Sequence, residues 1–305
     1  MDYDNDGDLD VFVPYLGFPS GTGLAALYRN DGSFHFTKMT TNDVGSLAAE
    51  RLSSWTCAWG DYDNDGWIDL IVANGWLQSD RVQCLLYHNN GDGTFSRVTT
   101  GSPANEVGAV ISVNWVDYDQ DGFLDLFCTV HDESALVSNR LYQNNGNSNA
   151  WLEVKCIGTS SPRWGTGAKV RVKATIHGKE MWQVRLIDAG GTPWGGQSFV
   201  AHFGLGDAAM VDALRIEWSS GIVQELHHLP AKQLLTMIEP AQLGVTGPGQ
   251  FRIGSWPGMV FEVQASTNLP NWQPVAVVTN LAGTQKFTDP DITRSTARFF
   301  RVMAK

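Results

Sequence analysis

The sequence is short of basic residues, of long apolar runs and of helical periodicity, and each shortage removes a class of function. Lysine and arginine total 21 against 32 aspartates and glutamates, for a formal net charge of -11. Phosphate backbones call for basic patches, and none is found, so nucleic acid is not expected as a partner. No run of 18 apolar residues offers a helical membrane span. Apolar residues seldom recur at the helical period, while glycine, tryptophan and phenylalanine are plentiful, which points to an all-β protein. Nothing resembling a phosphate loop, a nucleophile elbow or a zinc-ligand cluster occurs. The four cysteines, Cys57, Cys84, Cys128 and Cys156, sit in apolar, strand-like runs, so buried free thiols and disulfides both stay open.

What is present is a repeat, the feature to read before any other. D-Y-D-N-D-G-D-L-D at Asp2 to Asp10 returns as D-Y-D-N-D-G-W-I-D at Asp61 to Asp69 and as D-Y-D-Q-D-G-F-L-D at Asp117 to Asp125, the starting aspartates being 59 and 56 residues apart. Each copy runs into an apolar stretch, DVFVPY, DLIVAN or DLFCTV, that reads as a buried strand. Each is followed by a second signature: L-Y-R-N-D-G-S-F from Leu27, L-Y-H-N-N-G-D-G-T-F from Leu86 and L-Y-Q-N-N-G from Leu141. Their Asn-Gly and Asp-Gly pairs mark tight turns between strands.

Metal chemistry accounts for the spacing. Carboxylates at positions 1, 3, 5 and 9 of a loop, with glycine at position 6 for a sharp bend and the carbonyl of position 7, can surround one hard cation, calcium above all. The candidate ligands are Asp2, Asp4, Asp6 and Asp10 with the carbonyl of Asp8 in the first copy. They are Asp61, Asp63, Asp65 and Asp69 with the carbonyl of Trp67 in the second, and Asp117, Asp119, Asp121 and Asp125 with the carbonyl of Phe123 in the third. An EF-hand is disfavoured, because the flanks are strands and Val72 and Cys128 stand where its position-12 glutamate belongs. Solvated turns would explain one such run, but not three in register. Magnesium, which prefers few protein ligands, fits less well. Three calcium ions would bring six positive charges and take the net charge of -11 to -5, so much of the acidity is site chemistry.

These copies resemble FG-GAP or VCBS repeats, the blades of integrin-α-like β-propellers, in which a calcium loop joins the first two strands of a blade. The second copy reads as a whole blade: SSWTCAWG, the loop, WIDLIVANG, RVQCLLYHN and TFSRVTT. The first lacks an opening strand, and propellers close with four or more blades. Upstream blades lost from the chain, or a second chain, are therefore expected to complete the ring. The run W-L-E-V-K-C-I-G-T-S-S-P-R-W-G-T-G-A-K-V-R-V from Trp151, with Q-S-F-V-A-H-F-G-L-G and V-D-A-L-R-I-E-W-S-S-G, resembles the ASPIC/UnbV domain, which follows such propellers in the cartilage acidic protein family and in many bacterial secreted proteins. Ser219 departs from the proline frequent in that family's W-P-S-G turn. After the linker-like G-V-T-G-P-G-Q, the alternation of M-V-F-E-V-Q-A-S-T-N-L and the closing A-R-F-F-R-V resemble a small immunoglobulin-like or fibronectin type III-like sandwich. The expected organisation is a partial β-propeller of about three blades over residues 1–148, a β-rich ASPIC/UnbV-like domain over 149–243 and a sandwich over 244–305.

The resemblance implies a secreted, extracellular or periplasmic, calcium-bearing scaffold that binds protein or carbohydrate without catalysis. The competing expectation is a calcium-dependent polysaccharide lyase or hydrolase, for which His131, Asp132 and Glu133 form the one local acid/base cluster. Trp194, in a loop with Gly190, Gly191, Gly195 and Gly196, could stack on a sugar or anchor a partner, packing under its own loop being the simpler reading. His202 lacks a nucleophile or carboxylate partner in the sequence and is expected to be a core or hydrogen-bonded histidine.

Overall fold

The computed structural model describes residues 1–15, 24–50, 54–74, 84–101, 103–104, 110–130, 138–188, 197–281, 283–291 and 298–305. The expected His131, Asp132 and Glu133 cluster and the Gly190, Gly191, Trp194, Gly195 and Gly196 loop lie outside them. The fold is all-β among the described residues, apart from one short helix, Thr41–Val44, and a 3-10 turn, Gly45–Ala48. Thr40 and Asp43 form a capping box at that helix, each binding the other's backbone or side chain.

Three antiparallel sheets carry the three aspartate repeats. The first contains β1 (Val11–Val13), β2 (Ala26–Asn30) and β3 (Phe36–Lys38) in that order. The second runs β4 (Ser54–Gly60), β5 (Asp69–Asn74), β6 (Leu85–Asn89) and β7 (Phe95–Val98). The third places β9 (Asp125–Val130) between β8 (Val110–Val116) and β10 (Arg140–Tyr142). An aspartate loop joins β4 to β5 and β8 to β9, as the blade reading requires. Among the described residues none of these sheets closes on itself, and the resemblance to FG-GAP repeats fits a propeller-like β fold of this kind.

The unbroken apolar run of β5 has a packing cause. Leu70 and Val72 join a core with Tyr3, Leu27, Tyr87 and Phe95, whereas Ile71 and Ala73 join a second core with Val113, Leu126 and Cys128. Both faces of the strand are thus covered, so alternation with polar residues is not tolerated. Each fully buried aliphatic side chain here contributes ~1.5–3 kcal/mol by leaving water.

Residues 150–238 supply two further sheets. One has the order β14 (Val200–Gly206), β11 (Ala150–Ile157) and β17 (Gln233–Ile238). The other runs β13 (Lys179–Leu186), β12 (Lys169–Ile176), β15 (Met210–Glu217) and β16 (Val223–Pro230). In β12, KVRVKATI buries Val170, Val172, Ala174 and Ile176 and turns the residues between them outward, the period-2 pattern of a strand with one covered face.

The last residues form a small β-sandwich. Its sheets are β18 (Gln242–Gly247), β19 (Gln250–Gly254) and β22 (Thr284–Thr288), and β21 (Gln273–Thr279), β20 (Val260–Ser266) and β23 (Phe299–Ala304). Ile253, Phe261 and Val263 are its buried centre, with Phe251 against Phe300 at a ring separation of 4.4 Å. By compactness the chain divides into two units: residues 1–154 with 169–215 and 225–235, and residues 155–168 with 216–224 and 236–305. All four cysteines are free thiols, three buried and Cys57 half-buried.

Candidate metal centres

Each aspartate loop is built by its own carboxylates. The position-1 side chain bridges the two N–H groups at positions 5 and 6: Asp2 accepts from Asp6 and Gly7, Asp61 from Asp65 and Gly66, Asp117 from Asp121 and Gly122, at 2.8–3.2 Å. The position-5 carboxylate accepts the N–H two residues on, as Asp65 does from Trp67 at 2.8 Å. The bend needs left-handed backbone, and in the second loop Asn64 (φ 58°) and Gly66 (φ 99°) provide it.

Position 9 ties the loop to its sheet. Asp69 accepts the N–H of Tyr62 on one oxygen and of Asn89, in β6, on the other. Asp10 and Asp125 do the same for Tyr3 with Asn30 and for Tyr118 with Asn144. The recurring asparagine of the Leu-Tyr-x-Asn signature therefore belongs to the loop, a role its sequence reading as part of a turn had missed.

Asparagines also clasp each loop to the next. Asn5 Nδ2 donates to the Gly66 carbonyl at 3.0 Å and Asn64 Nδ2 to the Gly122 carbonyl at 2.9 Å. Asn89 Nδ2 reaches back to the Tyr3 carbonyl at 2.8 Å, and Asn144 Nδ2 to the Tyr62 carbonyl at 2.7 Å. The three loops are thus a linked row rather than separate turns.

Position 3 leaves one carboxylate oxygen over in the first two copies. Among the described residues Asp4 Oδ1 and Asp63 Oδ1 are shielded from solvent and have no hydrogen-bond partner, while Asp119 accepts from Gln143 Nε2 at 2.7 Å. The structure brings Asp2, Asp4 and Asp6 together in one loop, Asp61, Asp63 and Asp65 in the next, and Asp117, Asp119 and Asp125 in the third, each group with one oxygen per residue within 4.8 Å of the others. Asp10 and Asp121 fall outside these groups, and Asp69 enters through Asp63 and His88. Asp8 is exposed, Trp67 half-buried and Phe123 buried.

Such crowding is costly for bare carboxylates. Burial pushes Asp2 and Asp69 up to about 7 and Asp10 and Asp65 up to about 6. Burial, then repulsion from Asp69, Asp65 and Asp63, raises Asp61 well above the usual range, and burial raises Asp117 and Asp125 as well. Clustered, desolvated carboxylates with an unused position-3 oxygen are a donor set suited to a hard divalent cation.

His88 is the residue that sequence reading passed over. Its Nδ1 lies 3.2 Å from Asp69 Oδ1 and 3.4 Å from Asp63 Oδ2, and its Nε2 lies 4.0 Å from Asp65 Oδ2. Its place in Leu-Tyr-x-Asn, shared by Arg29 and Gln143, was the available signal.

Later residues press on the loops. A Cβ on Gly204 would fall 2.0 Å from Asp61 Oδ2, so only glycine lets β14 approach. Arg185 is half-buried and donates to the His202 carbonyl at 3.0 Å, and its charge favours the ionised forms of Asp2 and Asp61. His202 is itself buried, with Nε2 3.2 Å from the Gly122 carbonyl; burial pushes its pKa down to about 4, so the neutral ring donates there.

Comparison with known proteins follows this division. The model of the FG-GAP-like repeat matches residues 2–72 and 61–128, and that of ASPIC and UnbV matches residues 158–244. Cartilage acidic protein 1 of Homo sapiens is 29% identical over 227 residues, covering 72% of this chain and 32% of its own length. The Mus musculus protein of that name is 26% identical over 230 residues, covering 72% and 33%. The chain spans about a third of the length of these curated relatives. A solved tetra-tandem repeat from the extending region of a large adhesion protein aligns with 82% of this chain and 69% of its own at 11% identity, with a TM-score of 0.17, too low to bear on the fold. Residues 2–128, with the three aspartate loops, are FG-GAP-like repeats, and residues 158–244 are an ASPIC and UnbV domain.

Proposed function

We propose that this chain is part of a calcium-stabilised, non-catalytic extracellular scaffold that recognises protein or carbohydrate. The observation that carries the calcium reading is the buried, unpartnered oxygen of Asp4 and of Asp63 inside a carboxylate cluster. A solvated turn gives no reason for a shielded carboxylate oxygen without a donor, whereas a cation does. Asp2, Asp4 and Asp6, Asp61, Asp63 and Asp65, and Asp117, Asp119 and Asp125 would hold the ions, which would neutralise the clusters and turn binding energy into folding energy.

The extracellular part rests on two supports. Loops of several carboxylates stay filled at millimolar calcium without special affinity. The relatives carry cartilage in their name. The recognition part rests on the FG-GAP-like repeats and the ASPIC and UnbV domain.

The test is binding of the purified chain to a panel of extracellular glycans and matrix proteins, in calcium and in chelator. Saturable binding that chelator abolishes is expected. Release of unsaturated uronate products, read by ultraviolet absorbance, would overturn the non-catalytic reading in favour of a lyase.

A further inference from the structure

The three loops share their carboxylates, but the residue that overhangs them differs. After each Leu-Tyr pair stands Arg29, His88 or Gln143. Arg29 turns away to Asp31 at 2.8 Å, and Gln143 binds Asp119 through its amide. In the second loop the overhanging side chain is an imidazole, which can ligate a metal where a guanidinium cannot.

We propose that the second loop is a mixed nitrogen and oxygen site that takes a borderline divalent cation of the zinc or cobalt class, with His88 as its nitrogen ligand and Asp63 and Asp69 as carboxylate ligands. The proposal deepens the reading of the loops as cation sites and rests on it. His88, Asp63 and Asp69 each offer a ligand atom, all within 4.8 Å of one another. The separations from Nδ1 to the two carboxylate oxygens, 3.2 and 3.4 Å, are those of neighbouring ligands on one small ion. Bonds of ~2.0–2.1 Å place adjacent tetrahedral corners about 3.4 Å apart.

Two further details agree. Asp63 Oδ1 is shielded from solvent and has no hydrogen-bond partner among the described residues. Asp69 is fully buried and held on both oxygens by backbone N–H groups, so one ligand is fixed before any ion arrives. Calcium takes oxygen ligands, whereas imidazole suits zinc and other transition ions. Among the described residues the first and third loops offer no nitrogen ligand and stay all-oxygen, while calcium supplied alone fills the second loop through Asp61, Asp63 and Asp65 until a borderline ion displaces it. A cation entering the second loop displaces whatever proton the imidazole nitrogen carries.

Cobalt(II) is the probe, because its visible absorption reports ligand type and geometry. The purified chain, held in millimolar calcium, is titrated with cobalt and then with competing zinc. One cobalt per chain with the bands of a nitrogen-containing site is expected, displaced by zinc. His88→Gln writes the third loop's residue into the second; it is expected to weaken cobalt binding by about tenfold or more while calcium uptake and melting hold. Gln143→His is expected to add a second cobalt site. Equal cobalt binding in His88→Gln, or no cobalt uptake by a chain that does take calcium, overturns the proposal and leaves the calcium reading standing. Failure to take up calcium would instead remove that underlying reading.

Discussion

At the scale of single residues, the loops separate carboxylates that build the turn from those that await a cation. Asp61 and Asp69 are occupied by backbone N–H groups, whereas Asp63 leaves one shielded oxygen with no donor. Asp63→Ala is therefore expected to lower calcium affinity and melting temperature together, as calorimetry and thermal unfolding would read. An unchanged melting temperature in saturating calcium and in chelator would count against this. Glu239 is the other decisive residue. It is buried and accepts the N–H groups of Thr159, Ser160 and Ser161 at 2.7–2.8 Å, together with the hydroxyls of Ser161 and Ser220. Burial pushes its carboxyl up, but the hydrogen bonds from Ser220 and these three N–H groups outweigh it and hold the carboxyl below its ordinary 4.5. A depressed acid stabilises the fold above its unfolded value and loses that contribution as pH falls through the folded one. Glu239→Gln is expected to cost about 3 kcal/mol in denaturant unfolding at neutral pH, with the gap to wild type narrowing in acid. An equal gap at both pH values would refute the ionised role. The aspartate register was legible because position along a loop carries meaning for a cation. Glu239 was not, since its partners lie 19 to 80 residues away.

At the scale of elements, the repeat told where loops and strands fall but not how loops bind one another. DLIVAN reads as a buried strand, and β5 is one, covered on both faces. The clasps through Asn89 and Asn144 were hidden, because the same asparagine also suits a tight turn. Asn89→Ala removes donors to the Tyr3 and Ile68 carbonyls inside the core, so a loss of ~1–3 kcal/mol is expected in unfolding free energy. A change below a few tenths of that would deny the clasp any weight. Gly204 is a sharper case. A methyl group there meets Asp61 Oδ2 at 2.0 Å and the Asn64 backbone at 2.5 Å, so Gly204→Ala must displace the second loop. The expected result is one calcium fewer per chain by titration, together with a loss of ~1–3 kcal/mol from overpacking. Full stoichiometry in that variant would contradict the contact. Sequence could not show this approach: a glycine in F-G-L-G looks the same whether or not a carboxylate lies against it.

At the scale of the whole molecule, the acidic excess and the cation sites are one question. With Asp2 and Asp69 raised to about 7 and Asp10 and Asp65 to about 6, these four carboxyls bind more protons in the metal-free fold than in the unfolded chain between roughly pH 4 and 7. Their contribution to stability without metal should then fall as pH rises through that window, because raised acid pKa values favour the protonated fold. Calcium competes with those protons, so its stabilising effect should grow over the same window. Composition alone announced an acidic protein, but which acids repel one another depends on burial that only folding creates. The most direct measurement is thermal unfolding of the purified chain at neutral pH in millimolar calcium and in chelator, with the calcium stoichiometry taken by titration calorimetry. A cooperative transition that rises by many degrees with calcium, at close to three ions per chain, is the expected result. A melting temperature that ignores calcium, with no ions taken up, would reduce the aspartate loops to turns and contradict the account.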